Sequence, residues 1–127
     1  MDLSRIAPTD RQHIQKYGSG GFTVSGVVLS GPVLVFSDES SLWKAAAPAS
    51  LKPEDFAPVL ERASELDLCL LGCGSRMSPV TAAVRQSLKE AGVSIEPMDT
   101  GAACRTFNVL LAEDRAVMAA LFPPAAI

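Results

Sequence analysis

Between Leu66 and Phe122 the chain alternates short apolar runs with segments of helical periodicity, and that alternation constrains the fold more than any other feature of the sequence. Leu66 to Leu71 reads as a strand buried on both faces, with Leu68 to Leu71 a continuous apolar run. Pro79 to Ala91 carries Val80, Ala83, Val84 and Leu88 on one helical face and stops at Gly92. Val93-Ser94-Ile95-Glu96 reads as a short strand. Ala102 to Ala112 reads as a helix with Ala103, Phe107, Leu110 and Leu111 inward, and Arg115 to Phe122 as a last strand whose alanines and Met118 leave a helical alternative open. Strands separated by helices favour parallel pairing through right-handed crossovers. The predicted fold is therefore α/β: a single three-layer domain over residues 1–127 with a central mixed, largely parallel sheet, flanking helices and an N-terminal β-hairpin.

The first half of the chain is more broken. Residues 1–17 are polar and weakly patterned and are expected to form an extended arm. After Gly18-Ser19-Gly20-Gly21, the stretch from Phe22 to Leu29 turns on Ser25-Gly26 and predicts a tight hairpin. Val33 to Phe36 is a second continuous apolar run, a candidate central strand. Ser37 to Ser50 reads as a loop, with Trp43 as a lid over the core. From a capping Ser50, with Glu54 and Asp55 in the first turn and Phe56, Val59, Leu60 and Ala63 at helical spacing, a helix is expected to about Glu65.

Composition narrows the function classes. A net charge of -3 lacks the basic excess that binding to a phosphate backbone requires, so nucleic acid is excluded as a partner. No apolar run approaches the roughly 20 residues of a membrane span. Met1 to Asp10 has no apolar core of a secretory signal. Cys69, Cys73 and Cys104 are an odd set without Cys-x-x-Cys spacing, which points to reduced thiols in a cytoplasm of bacterial type and to no structural metal.

Met98 to Asn108 concentrates the chemistry: an acid, hydroxyls, a glycine, a thiol and a guanidinium where a strand passes into a helix with its N–H groups unpaired. In an α/β sheet the loops after the strand ends gather at one edge, so Gly72 to Arg76 and Asp99 to Arg105 are expected to converge on one crevice. Gly72, Cys73, Gly74, Arg76, Asp99, Thr100, Gly101, Cys104 and Arg105 are its candidate binding residues. Arg76 and Arg105 suit a carboxylate or phosphate, or else tie loops to backbone carbonyls. Cys104, in a first helical turn beside Arg105, has two features that lower a thiol pKa, against which stands the tendency of free cysteine to be buried. The one histidine, His13, lies in the arm, so no Cys–His pair is evident. Gly72-x-Gly74 lacks the third glycine and downstream acid of a dinucleotide fold. Asp99-Thr100-Gly101 matches an aspartic protease half-site, but in a single copy and an α/β setting, where Asp99 suits a turn or a helix cap better. No catalytic residue, metal or cofactor is assigned.

Met98-Asp99-Thr100-Gly101-Ala102-Ala103-Cys104-Arg105-Thr106-Phe107-Asn108-Val109-Leu110, followed by Glu113-x-Arg115-x-Val117-x-Ala119-Ala120-Leu121, resembles the family that includes mitochondrial respiratory complex I assembly factor three and uncharacterised bacterial and archaeal relatives. Tyr17, Gly20-Gly21-Phe22, Gly31, Trp43 and Leu70-Leu71-Gly72-x-Gly74 agree with it. The resemblance implies a three-layer α/β fold without established catalysis and, in the mitochondrial branch, help in assembling a membrane-bound NADH dehydrogenase. Cys73 stands where threonine is common and Phe107 where tyrosine is frequent. Two functions follow as expectations. One is a non-catalytic binding or assembly-type factor whose partners are protein subunits of a membrane complex. The other is an enzyme or sensor that binds a small anion in the crevice, with Cys104 or Asp99 doing chemistry; it requires Cys104 exposed and Asp99 free of backbone amides.

Overall fold

Two glycine-bearing turns set the N-terminal layer. In the computed structural model, which describes residues 11–124, β1 (Ile14–Gly18), β2 (Gly21–Val24) and β3 (Val27–Leu29) form an antiparallel three-stranded sheet. Ser25 and Gly26 both adopt left-handed backbone, φ 49 and 84, as the two-residue turn of a twisted hairpin requires. The expected hairpin is present, and the end of the arm supplies its third strand; residues 1–10 of that arm lie outside the described residues. Gly21, at φ 146, has no room for a side chain, because a Cβ there would collide with the Leu29 carbonyl.

The second sheet has the order β5-β4-β8-β6-β7, from β4 (Val33–Val35), β5 (Ser40–Leu42), β6 (Leu68–Cys73), β7 (Ser94–Met98) and β8 (Val117–Phe122). It is mixed, but the largely parallel sheet expected from the sequence is not what forms. Only β6 pairs in parallel, with β7 and β8, while β4 runs antiparallel to both β5 and β8. Parallel pairing needs a long crossover, and the two helical crossovers serve β6, β7 and β8 alone. The chain instead passes from β4 to β5 through a two-residue turn closed by the Phe36 N–H to the Glu39 carbonyl at 2.8 Å, which admits only antiparallel partners. Strand β5 lies inside the expected Ser37–Ser50 loop; Ser40-Ser41-Leu42 carries no alternation that would mark it.

The expected helix from Ser50 to Glu65 is shorter and broken. A 3-10 turn at Pro53–Phe56 leads into α1 (Ala57–Glu61), and a second 3-10 turn follows at Ala63–Glu65. Proline at 53 and 58 removes N–H donors that a continuous helix would use. The start is fixed by Asp55 rather than Ser50: its carboxylate accepts from the Lys52 N–H at 2.8 Å. The other helices stand as expected, with earlier or later starts. They are α2 (Ala82–Glu90), capped by Thr81 and ended at Gly92, and α3 (Thr100–Ala112).

The chain leaves β6 through α2 to β7 on one side, then returns through α3 to β8 on the other. Crossovers of constant hand therefore put α2 and α3 on opposite faces. The packing agrees. Cys69, Leu71, Met118 and Phe122 join Phe56, Val59, Val84 and Leu88 in one core. Leu70, Val117, Ala119 and Leu121 join Ala103, Phe107, Phe22 and Val24 in the other. Trp43 is no lid: it is buried within the first core, its ring 5.4 Å from Phe56 and 5.1 Å from Phe122, its N–H donating to the Asp55 carbonyl at 2.8 Å.

Candidate functional site

The ends of β6 and β8 and the start of α3 meet as the topology requires, and a single hydroxyl bridges all three. Thr100, fully buried, donates from Oγ1 to the Phe122 carbonyl at 2.6 Å and accepts at the same atom from the Gly74 N–H at 2.8 Å. Its own N–H donates to the Gly74 carbonyl at 2.8 Å. Gly72 makes the approach feasible: a Cβ there would stand 2.7 Å from Leu121 Cδ2 and 3.0 Å from Thr100 Oγ1. Gly74, at φ 93, then turns the chain away. Of the expected convergence of Gly72–Arg76 with Asp99–Arg105, Gly72 and Gly74 do meet Thr100, but these groups satisfy one another. Gly72 and Cys73 belong to β6 itself and not to a flexible loop.

Asp99 is the N-cap of α3, its carboxylate accepting from the Ala102 N–H at 2.9 Å. Cys104 is 2% exposed, packed between sheet and helix. Burial pushes its thiol up to about 12, with Asp99 adding to the rise and Arg105 only opposing it, so the lowered value expected from the helix start does not occur. Cys73 is also buried and raised by desolvation, its Sγ 3.7 Å from the Leu71 carbonyl and 3.8 Å from that of Ser78. With Cys104 buried and Asp99 engaged by a backbone amide, neither condition for the catalytic form of the crevice is met. Arg76 and Arg105 stay exposed, outside the sealed junction. Arg105 reaches the Tyr17 hydroxyl at 3.4 Å, and Gly101 lies under the same hydroxyl, 2.7 Å from where its Cβ would be. The N-terminal sheet thus rests on the first turn of α3.

The Asn108 amide completes the docking of β1, accepting from the Ile14 N–H at 3.0 Å and donating to the Ile14 carbonyl at 2.9 Å. The signal was present: an amide one turn beyond Cys104 and next to Phe107, on the inward side of a helix, needs a partner. Among the described residues no three of His, Cys, Asp and Glu group to hold a metal ion, and no helix is long and apolar enough to cross a membrane.

The architecture defines a three-layer α/β domain whose most reactive-looking segment is a structural junction. The chain belongs to the family described as protein of unknown function (DUF498/DUF598), whose model matches residues 14–122. It is 32% identical over 113 residues to NADH dehydrogenase [ubiquinone] 1 alpha subcomplex assembly factor 3 of Danio rerio, covering 89% of this chain and 65% of that protein. The chain thus spans just under two thirds of that relative. An uncharacterised Rhodobacter capsulatus protein is 35% identical over 110 residues, covering 87% of this chain and 83% of the relative. A crystal structure described as an outer membrane protein from Bartonella henselae superposes with a TM-score of 0.84 at 36% identity, covering 91% of this chain and 98% of that one. A Bordetella pertussis protein described as an Mth938-like domain gives 0.82 at 25% identity, covering 98% and 94%.

Proposed function

We propose that this chain is an assembly-type factor that acts in the cytoplasm by binding protein subunits of a respiratory membrane complex and carries out no chemistry on them. The observation that carries this reading is the sealed junction. Thr100, Asp99 and Cys104 are consumed by capping, bridging and core packing, while the relatives that share the fold's sequence include assembly factors for an NADH dehydrogenase. The exposed Arg76 and Arg105 belong to this reading as polar contacts for a subunit. Native-gel analysis of membranes from a host lacking the gene tests it, together with affinity purification of the tagged chain from its own host. Loss of assembled NADH dehydrogenase and enrichment of its subunits are expected. Normal assembly in the deletion strain, or turnover of a metabolite by the purified chain without any partner, overturns the reading.

A further inference from the structure

The two edges of the five-stranded sheet are treated differently. At β7 the edge is blunted: Pro97 lacks an N–H, and the Arg85 guanidinium covers the Ile95 carbonyl at 3.2 Å. At β5 nothing comparable appears among the described residues. The Phe36 N–H to Glu39 and Trp43 N–H to Pro32 bonds, both 2.8 Å, place residues 39, 41 and 43 in the bonded positions facing β4. In an antiparallel ladder the alternate residues, Ser40 and Leu42, then turn their N–H and C=O groups outward. The strand carries no charge or proline, and Leu42 is 56% exposed. Directly beside it lies a cavity of about 400 Å³, floored by Leu34 and Trp43, walled by Ser41 and Pro58, and rimmed by Glu54, Asp55 and Lys44.

We propose that β5 is a docking strand for an extended segment of a partner protein that places a lysine or arginine side chain in this cavity. This deepens, and rests on, the assembly reading above. Strand addition supplies main-chain hydrogen bonds, and a pocket beside the edge selects every second side chain. The stem of a basic side chain lies over Leu34 and Trp43 while its head meets Glu54; Asp55 is already engaged by the Lys52 N–H, and Lys44 offsets one acid of the rim. The flanking acids Asp38 and Glu39 are held by Arg62 at 2.9 and 3.1 Å. A second copy of the chain is the poorer occupant. Pairing Ser40 of one copy with Leu42 of the other sets Glu39, already held by Arg62, opposite Trp43, and so offers the cavity no basic side chain.

The test uses a fluorescein-labelled peptide of alternating threonine and valine with one central arginine, and a twin with glutamate there. Binding of the arginine peptide with slowed amide exchange at Ser40 and Leu42 supports the proposal, as does a loss of at least about tenfold for the glutamate twin or for Glu54→Lys. Leu42→Pro removes an N–H that no neighbouring strand among the described residues uses and is expected to abolish binding with the fold retained. Equal binding of both peptides, no change at Ser40 and Leu42, or changes there that follow protein concentration without peptide overturn it. In the native host, recovery of NADH dehydrogenase subunits by wild type and equally by Leu42→Pro overturns the docking strand and leaves the assembly reading standing. Recovery by neither overturns the assembly reading, and the peptide measurements then decide the strand on their own.

Discussion

Replacing Thr100 with valine keeps the branched shape and removes the one hydroxyl that joins β6, β8 and α3. In its place a buried Gly74 N–H and a buried Phe122 carbonyl lose their partner. Each stranded polar group costs about 1–3 kcal/mol, and the added methyl returns under about 1 kcal/mol of apolar burial, so Thr100→Val is expected to destabilise by about 1–5 kcal/mol. That is a large share of the ~5–15 kcal/mol that holds a domain together. Urea unfolding followed by circular dichroism reads the change as a lowered midpoint at constant slope, and the melting temperature falls by roughly 4–20 °C. Thr100→Ser, which keeps the hydroxyl and loses only a methyl, is expected to cost about 1 kcal/mol. If Thr100→Val is as stable as Thr100→Ser, the hydroxyl is not the latch and the reasoning about a sealed junction fails.

Stability should fall with rising pH in the alkaline range. Burial lifts Cys69 and Cys104 from 9.0 to about 12, so the folded chain keeps protons that the unfolded chain releases, and stability present below pH 9 is lost between about 9 and 12, by at most ~1.4 kcal/mol per unit per thiol. Denaturation curves at several alkaline pH values check the slope, and Cys104→Ala should flatten it. Native-state alkylation near neutral pH should leave Cys104 unlabelled; rapid adduct formation there would restore the nucleophile. Asn108→Ala should cost about 2 kcal/mol through the two lost bonds to Ile14, and hydrogen exchange should quicken at the Ile14 amide before it does in β6 or β8.

How much of this was legible in the sequence depends on the kind of signal. Strand β6 and helices α2 and α3 are legible through periodicity, because each buries an apolar face or two against a neighbour, whereas the alanines and Met118 of β8 fit a helix as well as the strand that forms. The Ser25-Gly26 turn was equally readable, since both of its residues must take positive φ and few residue types do so. Strand β5 was not, because its residues are chosen by a hydrogen-bond ladder to β4 that only the tertiary fold reveals. Sheet direction is hidden for a related reason: the helical crossovers dominate the pattern, while the tight turn at Ser37-Asp38 that sets β5 antiparallel to β4 carries no glycine or Asn-Gly mark, and the antiparallel pairing of β4 with β8 joins segments far apart in the chain. At the crevice, residues 72–74 and 99–101 were correctly brought together, but a list of residue types does not say whether their polar groups face a ligand or one another.

The distribution of polar groups decides where a partner can act. At the α3 start, a carboxylate, a hydroxyl and five backbone groups close on themselves, so a ligand there must first break bonds that hold three elements together. Such a ligand would have to repay the local opening of β8, which lies at the centre of the sheet and is buried along its whole length. At β5 the outward N–H and C=O groups have no partner strand among the described residues, and docking there requires no bond of the sheet to open. The reactive-looking segment is therefore the costly place to bind and the featureless Ser40-Ser41-Leu42 strand the inexpensive one, which inverts the order of interest that residue chemistry alone suggests.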